Sequence, residues 1–513
     1  IKRALIDNGA VSVSYHADQS RPITDPDDPG RKESEYFNYA TWAQYVRAYI
    51  TEDDPVTPEV DERTTANHAV AIVGWDDTIS PETFSSDPAK QPPAAGAWII
   101  KNSWSADWGL DGCFYLSYYD MSICEPTSFL VDLPDADGSF SYDSNYQYDY
   151  LSAASVGKIE PGAFGEAVAA ANVFEAEGDE TLEAVSATTA NPGSTVQVEV
   201  YLLDGGATDP TDGTLAASQT ETVEYGGYHT IALDEPVALS AGQRFSVVER
   251  IEGYEGAYLP LEVAAYDAND PDEAQGGYVK AQRAVANAGE SFYSADGGVT
   301  WSDVTTLSAD EVQKRISPSR FGGYPQVNAE DGVGNVMIKA FTTDGTEPEP
   351  EPEPEEPDDP PLRSSFDPRE EGLATPVRDQ GATDLCGPFA SMAALETSLV
   401  YDGSASDELI EAGLSPYHAV YFATMGDEER EAGGLNAFMP DNPYGGGISP
   451  FTIANSLAAG KGAVIAREGQ TDAAYEPMDE ALRFASDVHL TGTAALGLAG
   501  GSHWETLEGD ALR

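Results

Sequence analysis

The chain has 513 residues, 41% of them hydrophobic, enough to build the cores of two or three domains. It carries 89 acidic residues against 26 basic ones, a formal net charge of −63 that repels a polyanion and excludes nucleic acid as a partner. No apolar run approaches the ~18 residues that a membrane span needs, and three cysteines exclude a disulfide-dense scaffold. Such self-repulsion destabilises a compact state in dilute salt and is screened within a few Å in brine. The composition therefore predicts a salt-adapted, extracellular or cell-surface protein, although neither an initiator Met nor a signal-like segment opens the sequence.

In chain order, Ile1–Asn8 predicts a short amphipathic helix, stopped by Asn8-Gly9. Ala10–Tyr15 alternates as a strand, and Trp42–Ile50 is expected as a loop or short helix. NHAVAIVGWDD (Asn67–Asp77) places His68 at the head of an apolar strand. A Pro-, Asp- and Ser-rich stretch from about Thr78 to Ala95 is expected as a surface loop, with a position bordering a cleft as the alternative. GAWIIKNSWSADWGLDGCFYLSYYD (Gly96–Asp120) follows. Cys113 and Cys124 either pair or stay as two buried thiols; their spacing does not choose. His16, His229, His418, His489 and His503 lack a chemical context and are read as structural or surface residues.

Residues from about 140 to 343 are rich in Thr, Val, Gly and Tyr. VQVEVYLLD (Val196–Asp204), YHTIALD (Tyr228–Asp234), RFSVVERI (Arg244–Ile251) and VMIKAFT (Val336–Thr342) read as strands of an all-β sandwich. Tyr293 and Trp301 are candidates for stacking on a sugar, against the commoner role of packing. DGTEPEPEPEPEEPDDPP (344–361) is a Pro/Glu linker able to span about 50 Å in extended form. The last block, 362–513, contains VRDQGATDLCGPFASMAALETSL (Val377–Leu399). Here Cys386 opens a helix with Pro388 in its first turn, where a missing N–H costs nothing. The helix dipole favours a thiolate at that end. The Cys386 N–H and the Gln380 amide are candidates for receiving an oxyanion. LSPYHAVYFAT reads as a second helix, and Ala458–Ala466 as leading to a strand.

Gln380 six residues before Cys386, within PVRDQG, resembles the papain family of cysteine peptidases. His68 matches that family's catalytic base, Asn102 in Lys101-Asn102-Ser103-Trp104 the group that orients it, and Trp104 the indole that shields their hydrogen bond. Trp108-Gly109 and Gly112 complete the pattern. Tyr444-Gly445-Gly446-Gly447 is similar to the glycine pair of the family's substrate cleft, which implies Gly446, Gly447 and Trp104 as substrate-binding residues. The family has Trp and Ala after the Cys where this chain has Gly387 and Pro388, and a disulfide cysteine at the position of Thr383. The β-rich block resembles the lectin-like domain beside some prokaryotic secreted peptidases.

The resemblance implies an α+β papain-like domain and a lectin-like β-sandwich. The expected domains are 1–133 (β-rich His/Asn half), 140–343 (sandwich), 344–361 (linker) and 362–513 (helical Cys half). The halves stand in reversed order. Asp510–Arg513 followed by Ile1–Gly9 reads as one helix, so a circular permutation or a cut tandem array is expected, with a single domain closed from both halves as the working reading. The implied activity is peptide-bond hydrolysis by a Cys386–His68–Asn102 triad with Gln380 at the oxyanion, without metal or cofactor. The implied partners are a protein or peptide substrate and a glycan or surface ligand for the sandwich. Two rivals remain: a dead peptidase scaffold used for binding or adhesion, and amidase or transglutaminase-like use of the same triad.

Overall fold

A computed structural model describes residues 1–18, 23–24, 32–47, 66–134, 139–150, 156–158, 162–165, 167–253, 256–266, 284–315, 326–327, 332–344, 362–401, 403–425, 437–438, 444, 448, 450–466 and 478–496. The expectations for the linker, for Gly445 to Gly447 and for the last residues of the chain lie outside these. Strands dominate the described residues; helices are few.

Helix α1 (Lys2–Asp7) ends at Asn8, and Gly9 turns the chain at φ +82°. A Cβ on Gly9 would meet the Ser398 backbone at 2.6 Å, so only glycine fits. Strand β1 (Val11–Tyr15) follows, buried along its whole length. The two-residue strands β2 (Phe37–Asn38) and β3 (Ala43–Gln44) form a hairpin; of the expected loop or short helix from Trp42 to Ile50, Ala43–Gln44 is strand and residues 45–47 are loop. The run from Asn67 becomes β4 (His68–Asp76), then β5 (Ala97–Lys101), β6 (Cys113–Ser117) and β7 (Cys124–Asp132). Val70 and Ile72 of β4 face a core with Leu5, Val13, Tyr15 and Phe114. Ala71 and Val73 face the opposite one. Period-2 alternation thus serves two buried faces, and the strand reads as a continuous apolar run. Cys113 and Cys124 are buried free thiols.

Residues 78–95 form a surface loop with two 3-10 turns, in which the buried Phe84 packs with Ala43 and Ala97.

The β-rich block contributes β8 (Ser144–Tyr146), β9 (Ala169–Glu175), β10 (Glu180–Thr189), β11 (Ser194–Leu203), β12 (Gly213–Val223), β13 (Gly227–Leu239), β14 (Arg244–Gly253), β15 (Ser291–Ser294), β16 (Ser302–Asp303) and β17 (Lys339–Thr343). VMIKAFT is broken at Met337–Ile338 instead of running as one strand. One sheet runs β12-β11-β14-β9-β15-β16; the other begins β8-β17-β10-β13. Between them lie Val196, Val198, Phe245 and Val247 on one side and Leu182, Val185, Ile231 and Leu233 on the other. Tyr293 packs on Phe164, and Trp301 on a cluster with Val248 and Phe292, which are packing roles.

In the last block, β18 (Ser365–Phe366) pairs with β4, and α2 (Cys386–Tyr401) and α3 (Pro416–Ala423) are the expected helices. α4 (Pro450–Ala458) and β19 (His489–Ala495) follow. After Ala458 the chain forms isolated bridges at Ala463 and Ile465 instead of a strand. β19 pairs along β7, and through His229 and Gly492 with β13. The second sheet therefore continues β13-β19-β7-β1-β4-β5-β6-β3-β2. α2 lies across β1, β4 and β7 and is buried on nearly every side. Leu395 and Leu399 meet Ala71, Val73 and Phe129 there. Leu395→Ala is expected to cost about 2–5 kcal/mol, read as a lower denaturation midpoint in high salt.

Candidate active site

Cys386 is the first residue of α2, half-buried, and its thiol lies against the backbone N–H groups of Ala69 and Gly387. Ala69 follows His68, so the helix start faces the start of β4. The sheet and the helix it carries bring together two residues far apart in the chain.

The imidazole of His68 is buried, and its Nε2 lies 2.9 Å from Asn102 Oδ1. The same Oδ1 accepts from the Ser103 N–H at 2.8 Å, which fixes which end of the amide is oxygen. An amide oxygen only accepts, so Nε2 carries the proton and Nδ1 holds the lone pair. Trp104 stacks on the imidazole with ring centroids 4.7 Å apart and 22° between planes. That is the shielding position expected of it.

Gln380 is buried. Its N–H donates to Ser103 O at 2.9 Å, and its Oε1 accepts from Ser103 Oγ at 2.5 Å. Its Nε2 donates to Thr383 O at 2.8 Å, and its second amide hydrogen is the one available to an oxyanion. Ser103 is the residue that sequence reasoning missed, since it touches both Asn102 and Gln380. Its place between Asn102 and Trp104 was the signal. Of the candidates for substrate contact, Trp104 lies at the site, whereas Gly446 and Gly447 lie outside the described residues.

Gly387, where the family has Trp, has a physical reason. A Cβ there would sit 1.9 Å from the carbonyl oxygen of Ile448. Ile448 thus lies against the start of α2, and Tyr444 O accepts the Asp384 N–H just before it at 3.1 Å. A bulky residue after the cysteine is incompatible with that approach.

Burial pushes the Cys386 thiol up, opposed by the N–H groups of Ala69 and Gly387, with the Asp384 carboxylate adding to the rise. Burial pushes His68 down to about 4, opposed by its bond to Asn102. Each group alone is therefore neutral near pH 7. Desolvation penalises both charged forms. Among the described residues no cluster of three or more His, Cys, Asp or Glu is arranged to hold a metal ion.

Residues 38–130 match the model of the papain family cysteine protease, and residues 145–314 that of the lectin-like domain. The chain joins a papain-family segment to a lectin-like domain. The papain-family match holds His68, Asn102 and Trp104, while Gln380 and Cys386 fall outside it. Among solved structures, the chain is similar to the cysteine protease and lectin-like domains of Cwp84, a surface layer associated protein of Clostridium difficile, and to clostridial Cwp84 in a variant form after propeptide cleavage. Both are 24% identical over 67% of this chain, with a TM-score of 0.42. The chain spans 60% of the first of these chains and 67% of the second. No curated protein matches it.

Two outcomes follow for this candidate site. The folded pKa of His68 lies below the ordinary value of 6.5, so the unfolded chain binds the extra proton between about 4 and 6.5. Stability is expected to fall as pH drops through that window, by about 3 kcal/mol from this group. In His68→Gln, denaturation midpoints against pH should lose that part of the slope and keep the part of the same sign from His229, which burial also pushes down to about 4. Gly387→Ala is expected to cost about 1–3 kcal/mol by displacing Ile448, read as a lower melting temperature and slower thiol labelling.

Proposed function

We propose that the chain is a papain-like cysteine endopeptidase whose single α+β cleft is formed by residues 1–133 and 362–513, with the lectin-like sandwich beside it. The observation that carries this is the Nε2 to Oδ1 contact of 2.9 Å between His68 and Asn102, in a strand start that also holds the Cys386 thiol. His68 Nδ1 takes the thiol proton, and Cys386 Sγ attacks the scissile carbonyl. The oxyanion is received by the Cys386 N–H and the free hydrogen of Gln380 Nε2. His68 then protonates the leaving amine. Water, deprotonated by the same imidazole, hydrolyses the thioester and frees the thiol. Asn102 holds the imidazole throughout, and Trp104 keeps water from their bond.

The substrate in this reading is a protein or peptide, met outside the cell or at its surface in high salt. The sandwich is a candidate for holding a glycan or surface ligand. No described helix is long and apolar enough to cross a membrane.

The test is labelling in high salt by an epoxide that traps papain-like thiolates. One equivalent is expected on the wild-type chain and none on Cys386→Ala. Asn102→Ala should label roughly a hundredfold more slowly, because the imidazole loses its tautomer and orientation. A folded wild-type chain that takes up no epoxide favours the binding or adhesion reading, which Gly387-Pro388 after the cysteine and the reversed order of the halves motivate.

A further inference from the structure

The row of rings that starts at His68 continues past Trp104. Trp104 meets Trp108 edge to face at 5.1 Å between centroids, and Trp108 meets Trp42 at 5.1 Å. Trp42 in turn meets Tyr39 at 5.9 Å. All four side chains are half-buried. Trp42, Trp108 and Tyr39 rest on Phe37 in the core beneath and keep part of their surface open.

The turn that carries Tyr39 and Trp42 is built to hold them there. Trp42 sits at φ +52°, a conformation that a bulky L-residue adopts only when its surroundings enforce it. The enforcing contacts come from two sides. Asn38 Nδ2 and Thr41 Oγ1 both donate to Thr83 O, at 3.0 and 2.5 Å. Trp42 O accepts the Tyr115 N–H at 2.8 Å. Thr83 belongs to the Pro-rich insertion, which is anchored by the buried Phe84 beneath β3. The insertion, which has no part in the proposed chemistry, thus acts as a brace for an aromatic turn.

The direction of the row follows from the proton transfers. The leaving amine receives its proton from His68, so the residues that follow the scissile bond emerge beside that imidazole. Trp104 covers the imidazole, and the further rings run out from it. Three ring-to-ring steps of about 5 Å separate His68 from Trp42. At ~3.3 Å per extended residue, a peptide reaches Trp42 within about four or five residues of the cut.

We infer that Trp42 and Tyr39 form a recognition surface for an aromatic or large apolar side chain on the leaving-group side of the scissile bond. This rests on the peptidase reading. Ring-on-ring contact supplies an enthalpy and a burial term that a small polar residue cannot.

The test is mass-spectrometric profiling of the cuts made by the full chain in a denatured protein mixture at high salt. Phe, Tyr, Trp or Leu should be enriched within five residues after the cut. The ratio of kcat/KM between two long peptides differing by Phe against Ser at the enriched position is expected to be about five- to tenfold. In Trp42→Ala the ratio should fall to within about twofold, and Tyr39→Ala, at the row's far end, should lower it partway. Efficient cutting without the enrichment, or with a ratio unchanged in both variants, overturns this inference and leaves the peptidase reading standing. A chain that neither takes up the epoxide nor cuts overturns both.

Discussion

Two short runs of backbone, far apart in the chain, lie side by side and hold the site together. Gln380 donates its N–H to Ser103 O at 2.9 Å, and Ser103 Oγ donates to Gln380 Oε1 at 2.5 Å. Two residues on, Ser105 donates its N–H to Arg378 O at 3.3 Å. Because Asn102 immediately precedes Ser103 and Cys386 follows Gln380, this antiparallel contact registers the imidazole's holder against the thiol's helix. Buried hydrogen bonds of this kind cost most when one partner is removed, since the other is left dry and unpaired. The proposed chemistry depends on them although neither partner in the Ser103 Oγ bond attacks or donates a proton.

The larger frame serves the same register. α2 is apolar nearly all round because it is buried nearly all round, under helices on one side and across β1, β4 and β7 on the other. β19 extends the sheet from β7 towards the sandwich, so the lectin-like strands and the papain-family strands share one hydrogen-bonded surface. The acidic excess is tolerated because it is carried outside these cores. The buried core positions of β4 and α2 are overwhelmingly uncharged, with Glu396 of α2 accepting the Leu414 N–H at 2.9 Å.

The departures from the family pattern acquire reasons from contacts. Gly387 is a glycine because a neighbouring carbonyl occupies the space of a side chain. The Pro-rich insertion, an apparent decoration, pins the turn bearing Trp42.

The residue types and local spacing carried much of this molecule unaided. His68 at a strand head, Asn102 before Ser-Trp, Gln380 six residues before Cys386, the helix opened by Cys386 and the alternating runs of the sandwich all depend on local chemistry, namely propensity, period and motif. Tertiary structure alone decided what depends on distant neighbours. It set the break that sends the two parts of VMIKAFT into different sheets, the short strand at Ala43–Gln44, and the packing roles of Tyr293 and Trp301. It also decided that Cys113 and Cys124 stay apart, and that burial pushes the Cys386 thiol up and the His68 imidazole down. A desolvation penalty and a steric approach are properties of what surrounds a group, and in this chain the surroundings of Cys386 include Ala69, more than three hundred positions away, and Ile448 against the neighbouring Gly387.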